Sequence, residues 1–441
     1  MKPSNGKTYF FCGVGGSGMS ALAKILISRG GVVHGSDRNY DAGRFPDLYD
    51  ALVKNGVTMH PQDGTGITCK IDYLVVSSAV ESSIPDVAAA QKLGVPIIKR
   101  AELLAEICNA DKTITVGGTN GKSTVTAMIG HVLHECGQGP TIINGGGMLN
   151  FNRDNAVIGQ SDCIVAETDE SDGTITNFHA DIAVLTNISE DHKSMDELLD
   201  IFRLYLSQAK TCVLNVDCPN VRFISKDYPD AVTYSMDDYP DDLRLLVPGA
   251  HNKSNAMAAM AVAMSLGLDD AQIKKALASF RGVVSRLEVV GHKNDIMVID
   301  DFGHNPDKIA ASLKTLKEEG RRLIVMYQPH GFKPTSDQKD ALIKVFSTYL
   351  DVSDLFYMPD ILYFGGTVDK DISSADIIDV LKNKGMNAIY TPNKDDIQTD
   401  ILSNAKSGDI ICIMGARDDS LRQMARDIFE NLPAGQSFCT A

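Results

Sequence analysis

The sequence Ile114–Thr124, ITVGGTNGKST, decides the fold at the centre of the chain. A strand-like run ends there in glycines, and a Gly-Lys-Ser-Thr then opens a predicted helix. The common phosphate-loop pattern G-x-x-x-x-G-K-[ST] would place its first glycine at Val116, whereas this chain has Gly117 and Gly118 instead. The order of strand, glycines, lysine and helix predicts a shortened loop that binds a polyphosphate.

In such a loop, backbone N–H groups surround the phosphates, Lys122 reaches the outer ones and the Ser123 hydroxyl takes one Mg²⁺ coordination place. An ordinary glycine turn with a solvated lysine is the alternative, and the complete order of features disfavours it. We predict nucleotide binding by Gly118, Thr119, Asn120, Gly121, Lys122, Ser123 and Thr124.

Two later strands are predicted to end in acidic clusters. The strand at 163–166 leads into Glu167 and the rest of ETDESD, and the strand at 182–186 leads into NISEDH, which ends at His192. Carboxylates at a strand end beside a phosphate loop commonly hold Mg²⁺. A solvated acidic turn and a structural histidine are the alternatives, and the convergence of both clusters on one loop favours function.

Near the start, the strand Thr8–Cys12 leads into GVGGSGMSALAK, a G-x-G-x-x-G turn before an amphipathic helix, with Asp37 about 20 positions further on. Such a turn binds a diphosphate, and its spacing does not separate NAD from a UDP-linked ligand. A purely structural turn is the alternative. We assign substrate binding to Gly13, Gly15, Gly16, Ser17, Gly18, Met19, Ser20, Asp37, Ser77 and Ser78.

Strands and helices alternate along the whole chain, which predicts parallel sheets with ligands at the carboxyl ends of their strands. The length suits about three domains, which we place at 1–106, 107–284 and 285–441. The predicted class is α/β, with Rossmann-like terminal domains around a central phosphate-loop ATPase domain. In the central domain, PGAHNKSN places Asn252 and Asn255 on one helix face, and Met257, Met260 and Met264 are expected in the core.

Net charge and cysteine content limit which binding partners and which cellular compartment we expect for this protein. A net charge of −15 argues against a nucleic-acid surface. The nine cysteines form no C-x-x-C pair, which favours a reducing compartment. The chain has no leader-like start and no apolar stretch of about 18 residues. We expect a cytoplasmic protein without a membrane or nucleic-acid partner.

The motifs GGTNGKST, ETDESD, NISEDH, PGAHNKSN and DDFGHNP occur in this order, and the chain resembles the Mur ligases over its full length. These are the ATP-dependent amide ligases of peptidoglycan precursor synthesis. The resemblance implies a UDP-sugar domain, a central ATPase domain and a C-terminal domain that closes on the nucleotide and brings an amino acid. It implies ATP and Mg²⁺ as cofactors, UDP-N-acetylmuramate and an amino acid (L-alanine in the members most resembled) as substrates, and a monomer or weak homodimer.

The resemblance also assigns roles. Lys122 would bind the β- and γ-phosphates, one Mg²⁺ would lie on Ser123 and Glu167, and a second on His192. The implied metal ligands are therefore Ser123, Glu167 and His192. The implied catalytic set is Lys122, Glu167, His192, Asn252, Asn255, Arg286, Asp301 and His304.

Two departures affect these expectations. The alanine-adding members usually have histidine where this chain has Asn120. After Gln328-Pro329-His330 they have two arginines that hold the amino acid's carboxylate, and this chain has Gly331 and Pro334. Lys333 or Arg417 would have to replace them.

Three other functions stay open at this point. They are a related Mur ligase that accepts a peptide or another amine, an NAD(P)-linked oxidoreductase, and a catalytically silent relative that binds UDP-sugars. The oxidoreductase and the catalytically silent relative would give no function to Lys122, Glu167 and His192.

Overall fold

The computed structural model describes residues 6–77, 83–170, 173–189, 193–363, 371–418 and 420–433. The chain forms two compact units, Met1–Leu246 with His251–Val283, and Val247–Ala250 with Val284–Ala441. In the described residues the first unit contains two sheets and the second contains one. The predicted α/β class is confirmed, while the predicted boundaries after residues 106 and 284 stay predictions.

The first sheet consists of β1 (Thr8–Cys12), β2 (Val32–Ser36), β3 (Val57–His60), β4 (Tyr73–Val76) and β5 (Ile97–Lys99). Its helices are α1 (Ser17–Ser28), α2 (Arg38–Asp41), α3 (Pro46–Lys54), α4 (Pro85–Leu93) and α5 (Arg100–Asn109). All pairings are parallel, in the order β3-β2-β1-β4-β5. This is the arrangement predicted from the alternating pattern.

The second sheet consists of β6 (Lys112–Gly117), β7 (Thr141–Ile143), β8 (Ala156–Val157), β9 (Cys163–Glu167), β10 (Ile182–Leu185), β11 (Thr211–Asn215) and β12 (Val232–Tyr234). Its helices are α6 (Lys122–Glu135), α7 (Met195–Ser207), α8 (Pro219–Ser225), α9 (Ala250–Ser265) and α10 (Asp270–Ala278), with short 3₁₀ turns at Leu149–Phe151, Thr174–Asn177 and Met236–Asp238. The order is β12-β11-β10-β6-β9-β7-β8, and only β7 with β8 is antiparallel among these pairs. The strand β6 therefore lies between β10 and β9.

The second unit contains β13 (Glu288–Lys293), β14 (Ile296–Asp301), β15 (Leu323–Gln328), β16 (Leu355–Met358), β17 (Ala388–Tyr390) and β18 (Ile410–Gly415). Its helices are α11 (Pro306–Glu318), α12 (Phe332–Asp337), α13 (Lys339–Tyr349), α14 (Ser374–Asn383), α15 (Lys394–Asn404) and α16 (Ser420–Asn431). The order is β13-β14-β18-β15-β16-β17, with β13 antiparallel at the edge.

One hydrophobic core joins the first two sheets. Leu22 of α1 and Leu104 of α5 belong to the same buried cluster as Ile164 of β9 and Phe178. Burying such side chains contributes about 1.5–3 kcal/mol each. The two sheets therefore form one unit, and their facing loops are held by a common core.

The methionine prediction for α9 is partly wrong. Met257 and Met260 are 7% and 4% exposed, as expected for core residues. Met264 is 56% exposed although the adjacent Val262 and Ala263 are buried, so its side chain lies on the solvent-facing side of the last turn.

All eight cysteines in the described part of the chain are free thiols. Within the same residues, no helix combines the length and apolar character needed to cross a bilayer.

His131 fastens α6 to the end of α10. It is 2% exposed, and its Nε2 lies 3.0 Å from the Ala276 carbonyl oxygen, to which it donates. Burial lowers the pKa of His131 below 6.5, while nearby Glu135 acts in the opposite direction. The folded protein therefore holds this imidazole in its neutral form.

We predict that His131 makes the first unit sensitive to acid. The unfolded chain binds a proton at the ordinary pKa of about 6.5 and the folded chain only at lower pH, so stability is lost as the pH falls below about 6.5. His131→Leu should lower the free energy of unfolding at pH 7.5 by about 1–2 kcal/mol, by removing the hydrogen bond. It should then lose less additional stability than the parent on acidification to about pH 5.5. Urea titrations at both pH values measure this, and parallel losses in the two proteins would contradict it.

Candidate active site

The phosphate loop depends on two glycines. Gly118 has φ +129°, and a Cβ there would lie 2.2 Å from Thr186 Oγ1. Gly121 has φ +85° and immediately precedes α6, and a Cβ there would lie 2.8 Å from Asn255 Oδ1. Only glycine fits both conditions, so these two positions fix the path of the loop.

Asn187, at the end of β10, braces this loop. The Thr119 N–H donates to the Asn187 carbonyl oxygen (3.0 Å), and the Asn120 N–H donates to Asn187 Oδ1 (2.9 Å). The Asn187 amide donates back to the Asn120 carbonyl oxygen at 2.8 Å. The backbone N–H groups of Thr119 and Asn120, two of the predicted nucleotide-binding residues, are therefore used inside the protein.

Lys122 forms an ion pair with Glu170. Its Nζ lies 3.1 and 2.9 Å from the two Glu170 carboxylate oxygens and donates to the Gly118 carbonyl oxygen at 2.7 Å. The two side chains are only 16% and 9% exposed. The ammonium is thus held at the loop, and a phosphate would compete with the Glu170 carboxylate for it.

Ser123 and Glu167 meet as the sequence predicted. The Ser123 hydroxyl donates to Glu167 Oε1 at 3.0 Å, and the Gly145 N–H donates to Glu167 Oε2 at 2.6 Å. A Cβ at Gly145 would lie 2.6 Å from Glu167 Oε2, so this glycine allows the close approach.

A hydroxyl and a carboxylate are hard oxygen ligands, which Mg²⁺ prefers. These two residues therefore fit the metal that the sequence analysis expected. Among the described residues, no group of three or more His, Cys, Asp or Glu side chains is arranged to hold a metal. The predicted ligand His192, together with Asp172, Asp191 and the predicted substrate residue Ser78, lies outside the described residues.

Asn252 and Asn255 lie on the buried face of α9. Asn255 Nδ2 donates to Asn252 Oδ1 at 3.3 Å, and Asn255 Oδ1 faces Gly121. The spacing of three residues thus places this pair beside the phosphate loop.

The N-terminal glycine turn is held by Asp37. The Gly15 N–H donates to Asp37 Oδ2 at 3.0 Å, and the Asn39 N–H donates to Asp37 Oδ1 at 2.9 Å. Asp37 is 6% exposed, so its carboxylate mainly orders the turn. The Tyr49 hydroxyl would lie 2.6 Å from a Cβ at Gly15, which explains the glycine there.

A cavity of about 370 Å³ in the first unit lies between the N-terminal glycine turn and the carboxyl end of β9. One wall contains Gly13, Ser17 and Gly18, and another contains Glu167 and Thr168. The predicted diphosphate turn and the predicted metal ligand thus face the same space.

Three predicted catalytic residues, Asp301, Arg286 and His304, lie in the second unit, and each has a different environment. The Asp301 carboxylate accepts from the N–H groups of Leu287 (2.9 Å) and Gly303 (3.0 Å) and from the Ser312 hydroxyl (2.8 Å), so it organises the strand end. Arg286 is exposed, with its guanidinium 5.0 Å from the Phe302 ring. His304 Nδ1 lies 3.0 Å from the Phe302 carbonyl oxygen, and its ring lies beside that of His330.

Basic side chains follow the carboxyl ends of β14, β15 and β18 in the second unit. The rings of His304 and His330 lie 5.9 Å apart. Burial lowers the pKa of both imidazoles, and nearby Arg286 and Arg417 act in the same direction on His304 and His330 respectively. Arg417 is exposed and has φ +61°, whereas Lys333 is 76% exposed and pairs with Asp337 at 3.3 Å.

Sequence reasoning missed the roles of Glu170, Asn187 and Arg100. It named Glu170 and Asn187 only as members of polar clusters, because pairing to Lys122 or to the loop backbone depends on tertiary contacts. Arg100 directly follows β5 and lines the cavity. The rule that ligands lie at strand carboxyl ends could have found it.

The fold and site define a multi-sheet α/β protein with a shortened phosphate loop at the carboxyl end of β6. Comparison with known families gives three matches: "Mur ligase family, catalytic domain" at residues 8–112, "Mur ligase middle domain" at 116–245, and "Mur ligase, glutamate ligase domain" at 285–417. The chain therefore belongs to the Mur ligase family and is an ATP-dependent ligase.

Similar proteins include two curated relatives. The UDP-N-acetylmuramate–L-alanine ligase of Thermosynechococcus vestitus is 34% identical, over 94% of each chain. That of Agathobacter rectalis is 33% identical, over 92% of this chain and 94% of its own.

Two solved structures extend the comparison. The UDP-N-acetylmuramate–alanine ligase of Thermotoga maritima superposes with a TM-score of 0.78 at 26% identity, covering 96% of this chain and 98% of its own. A murein peptide ligase of Psychrobacter arcticus, at 22% identity and a TM-score of 0.65 over 98% of this chain and 100% of its own, shares the fold.

We predict that Gly121→Ala weakens ATP binding about tenfold or more, because the new Cβ would force the loop away from Asn255. Gly137→Ala is the matched control, since Gly137 has φ +76° and no heavy atom lies within 4 Å of its Cβ position. Both variants carry the backbone strain of about 1 kcal/mol, and only the first displaces the loop. Calorimetric titration with ATP measures the difference. Equal affinities in the two variants would show that the contact with Asn255 is not needed.

Proposed function

We propose that the protein joins L-alanine to UDP-N-acetylmuramate in an ATP-dependent reaction that forms an amide bond. The observation that carries the proposal is the cavity that connects the N-terminal glycine turn to Glu167, next to the phosphate loop. A nucleotide sugar bound at the turn would extend its carboxylate towards the residues that bind ATP. The two curated relatives at 33–34% identity carry this activity in their names.

The first step brings two anions together. The sugar's carboxylate attacks the γ-phosphorus of ATP, the bond from that phosphorus to the β-phosphate oxygen breaks, and an acyl phosphate and ADP result. Lys122 is proposed to leave Glu170 and bind the β- and γ-phosphates, which lowers the repulsion. Asn252 and Asn255 border the nucleotide.

Mg²⁺ supplies charge neutralisation for this step when bound. Ser123 and Glu167 would hold it, and we propose His192 as a ligand of a second ion. Gly145 orients Glu167 through its N–H group, so the carboxylate is positioned before the metal arrives.

In the second step the amine attacks the acyl carbon, phosphate leaves, and the amine loses a proton. We propose that the second unit binds the amino acid, and that Arg417 pairs with its carboxylate. Lys333 is the weaker candidate, since its ammonium already pairs with Asp337. Arg286 adds positive charge at the same edge of the sheet, whereas burial lowers the pKa of His304 and keeps it neutral, and Asp301 orders the strand end.

We propose a cytoplasmic setting, where ATP and a nucleotide sugar are available and thiols stay reduced. We also propose that the protein is a monomer or a weak homodimer and that it has no nucleic-acid or membrane partner.

Phosphate release tests this function. The parent is expected to release phosphate from ATP only when UDP-N-acetylmuramate, Mg²⁺ and an amino acid are all present, and fastest with L-alanine in a panel that also contains a tripeptide. Lys122→Ala should lose this activity almost completely and keep its far-ultraviolet circular dichroism, because the ammonium contacts only polar groups. Near-normal release by Lys122→Ala would rule out the phosphate loop as the ATP site.

The same assay tests the amino-acid partner. Arg417→Ala should raise the KM for L-alanine tenfold or more, with little change for ATP or the nucleotide sugar. Lys333→Ala is the control and should resemble the parent. Equal KM values in all three proteins, or activity only with the tripeptide, would point to a different amine.

We predict that Glu167→Ala raises the Mg²⁺ concentration needed for half-maximal activity by about tenfold or more, because a carboxylate is the stronger of the two oxygen ligands. Initial rates across a Mg²⁺ titration measure this. Superimposable titrations of parent and variant would place the metal elsewhere.

A further inference from the structure

The loop after β7 contains three successive glycines, Gly145, Gly146 and Gly147, and its first glycine holds Glu167. The Gly145 N–H donates to Glu167 Oε2 at 2.6 Å, while the other carboxylate oxygen accepts from the Ser123 hydroxyl at 3.0 Å. Glycine has the greatest backbone freedom of any residue, so three in succession would leave this donor poorly fixed. Another group must therefore hold the loop.

Asn144, the residue between β7 and the glycines, restricts this run. Its Nδ2 donates to the Gly146 carbonyl oxygen at 2.8 Å, and this hydrogen bond spans Gly145. The Asn144 N–H donates to the Asn155 carbonyl oxygen at 2.8 Å, which continues the antiparallel pairing of β7 with β8. The chain is thus fixed on both sides of the N–H group that contacts Glu167.

The burial of Asn144 carries a cost. The residue is 3% exposed, and within the described residues its Oδ1 is buried without a hydrogen-bond partner. A buried acceptor that is left unpaired loses the free energy of its hydration. An apolar side chain of similar size would avoid this cost, so the asparagine is explained by the hydrogen bond that it donates to the loop.

We propose that Asn144 is a positioning residue that acts through Glu167. It holds the three-glycine loop so that the Gly145 N–H keeps the carboxylate beside Ser123, where both can bind Mg²⁺. This inference rests on the proposed function, which assigns Mg²⁺ to these two residues. Removing a partner that orients a metal ligand typically costs about 10–100-fold in metal affinity, and Asn144 fixes such a partner.

Asn155 provides the matched control. It pairs with Asn144 in the same hairpin, but its Nδ2 donates to the Ser17 carbonyl oxygen at 2.7 Å, at the start of α1. Replacing either asparagine by leucine removes one amide group, and the backbone hydrogen bond between the two residues stays. Only Asn144→Leu releases the glycine loop.

Electron paramagnetic resonance of free Mn²⁺ measures metal binding without turnover, because Mn²⁺ shares the preference of Mg²⁺ for oxygen ligands. In the presence of ADP, Asn144→Leu should weaken Mn²⁺ binding about tenfold, and Asn155→Leu should bind it like the parent. Glu167→Ala should also bind Mn²⁺ more weakly. Adding Asn144→Leu to Glu167→Ala should cause no further loss, because the asparagine acts through the carboxylate.

Thermal unfolding separates positioning from a loss of stability. Asn144→Leu should unfold at or above the temperature of the parent, because the unpaired Oδ1 is removed and Gly146 is only half-buried, so that water can replace the lost donor. Its phosphate release should need about tenfold more Mg²⁺, with kcat near the parent value at saturating Mg²⁺. Asn144→Val, which is smaller, carries the same test should Asn144→Leu not fold.

Three outcomes overturn the inference and leave the proposed function standing. They are unchanged Mn²⁺ binding by the Asn144 variant, an equal loss in Asn155→Leu, and a further loss in the double variant. Parent-like Mn²⁺ binding by Glu167→Ala would overturn the metal assignment of the proposed function and this inference with it. Absence of phosphate release by the parent would overturn the proposed reaction alone, since the Mn²⁺ measurement does not involve turnover.

Discussion

Parallel pairing on both sides of β6 is the constraint on which the site depends. The register places Gly117 opposite Leu185 of β10, and Val116 opposite Glu167 of β9. Since parallel strands end at the same edge, the glycine loop, Asn187 and Glu167 are brought together by backbone hydrogen bonds alone. The side chains then need only short adjustments, such as the 3.0 Å contact of Ser123 with Glu167.

The ion pair between Lys122 and Glu170 explains how the phosphate loop is ordered when no polyanion is bound. A lone ammonium at this depth would be costly, and the carboxylate and loop carbonyl groups satisfy it. In the proposed function a bound phosphate would offer the same charge in place of Glu170. Such an exchange of anionic partners would leave the loop ordered, so little of the binding energy would go into ordering it.

In the second unit, positively charged side chains lie close together at the polar edge of the sheet, although the net charge of the chain is −15. Burial and the neighbouring guanidinium groups keep His304 and His330 neutral at ordinary pH by lowering their pKa values. This limits the repulsion among them while leaving Arg286 and Arg417 charged. Such an edge suits an anionic ligand.

The sequence by itself determined the α/β class and the positions of the two glycine turns, because glycine turns, helix starts and strand ends are local patterns with a local physical cause. From the same patterns it predicted roles for Lys122, Ser123 and Glu167. It also indicated Asn252 and Asn255 through helical spacing. Only the tertiary structure decided that Asn187 takes two loop N–H groups and that Glu170 pairs with Lys122. Those contacts join residues 48 or more positions apart, and no local pattern encodes which side chains meet once the sheets pack on a shared core.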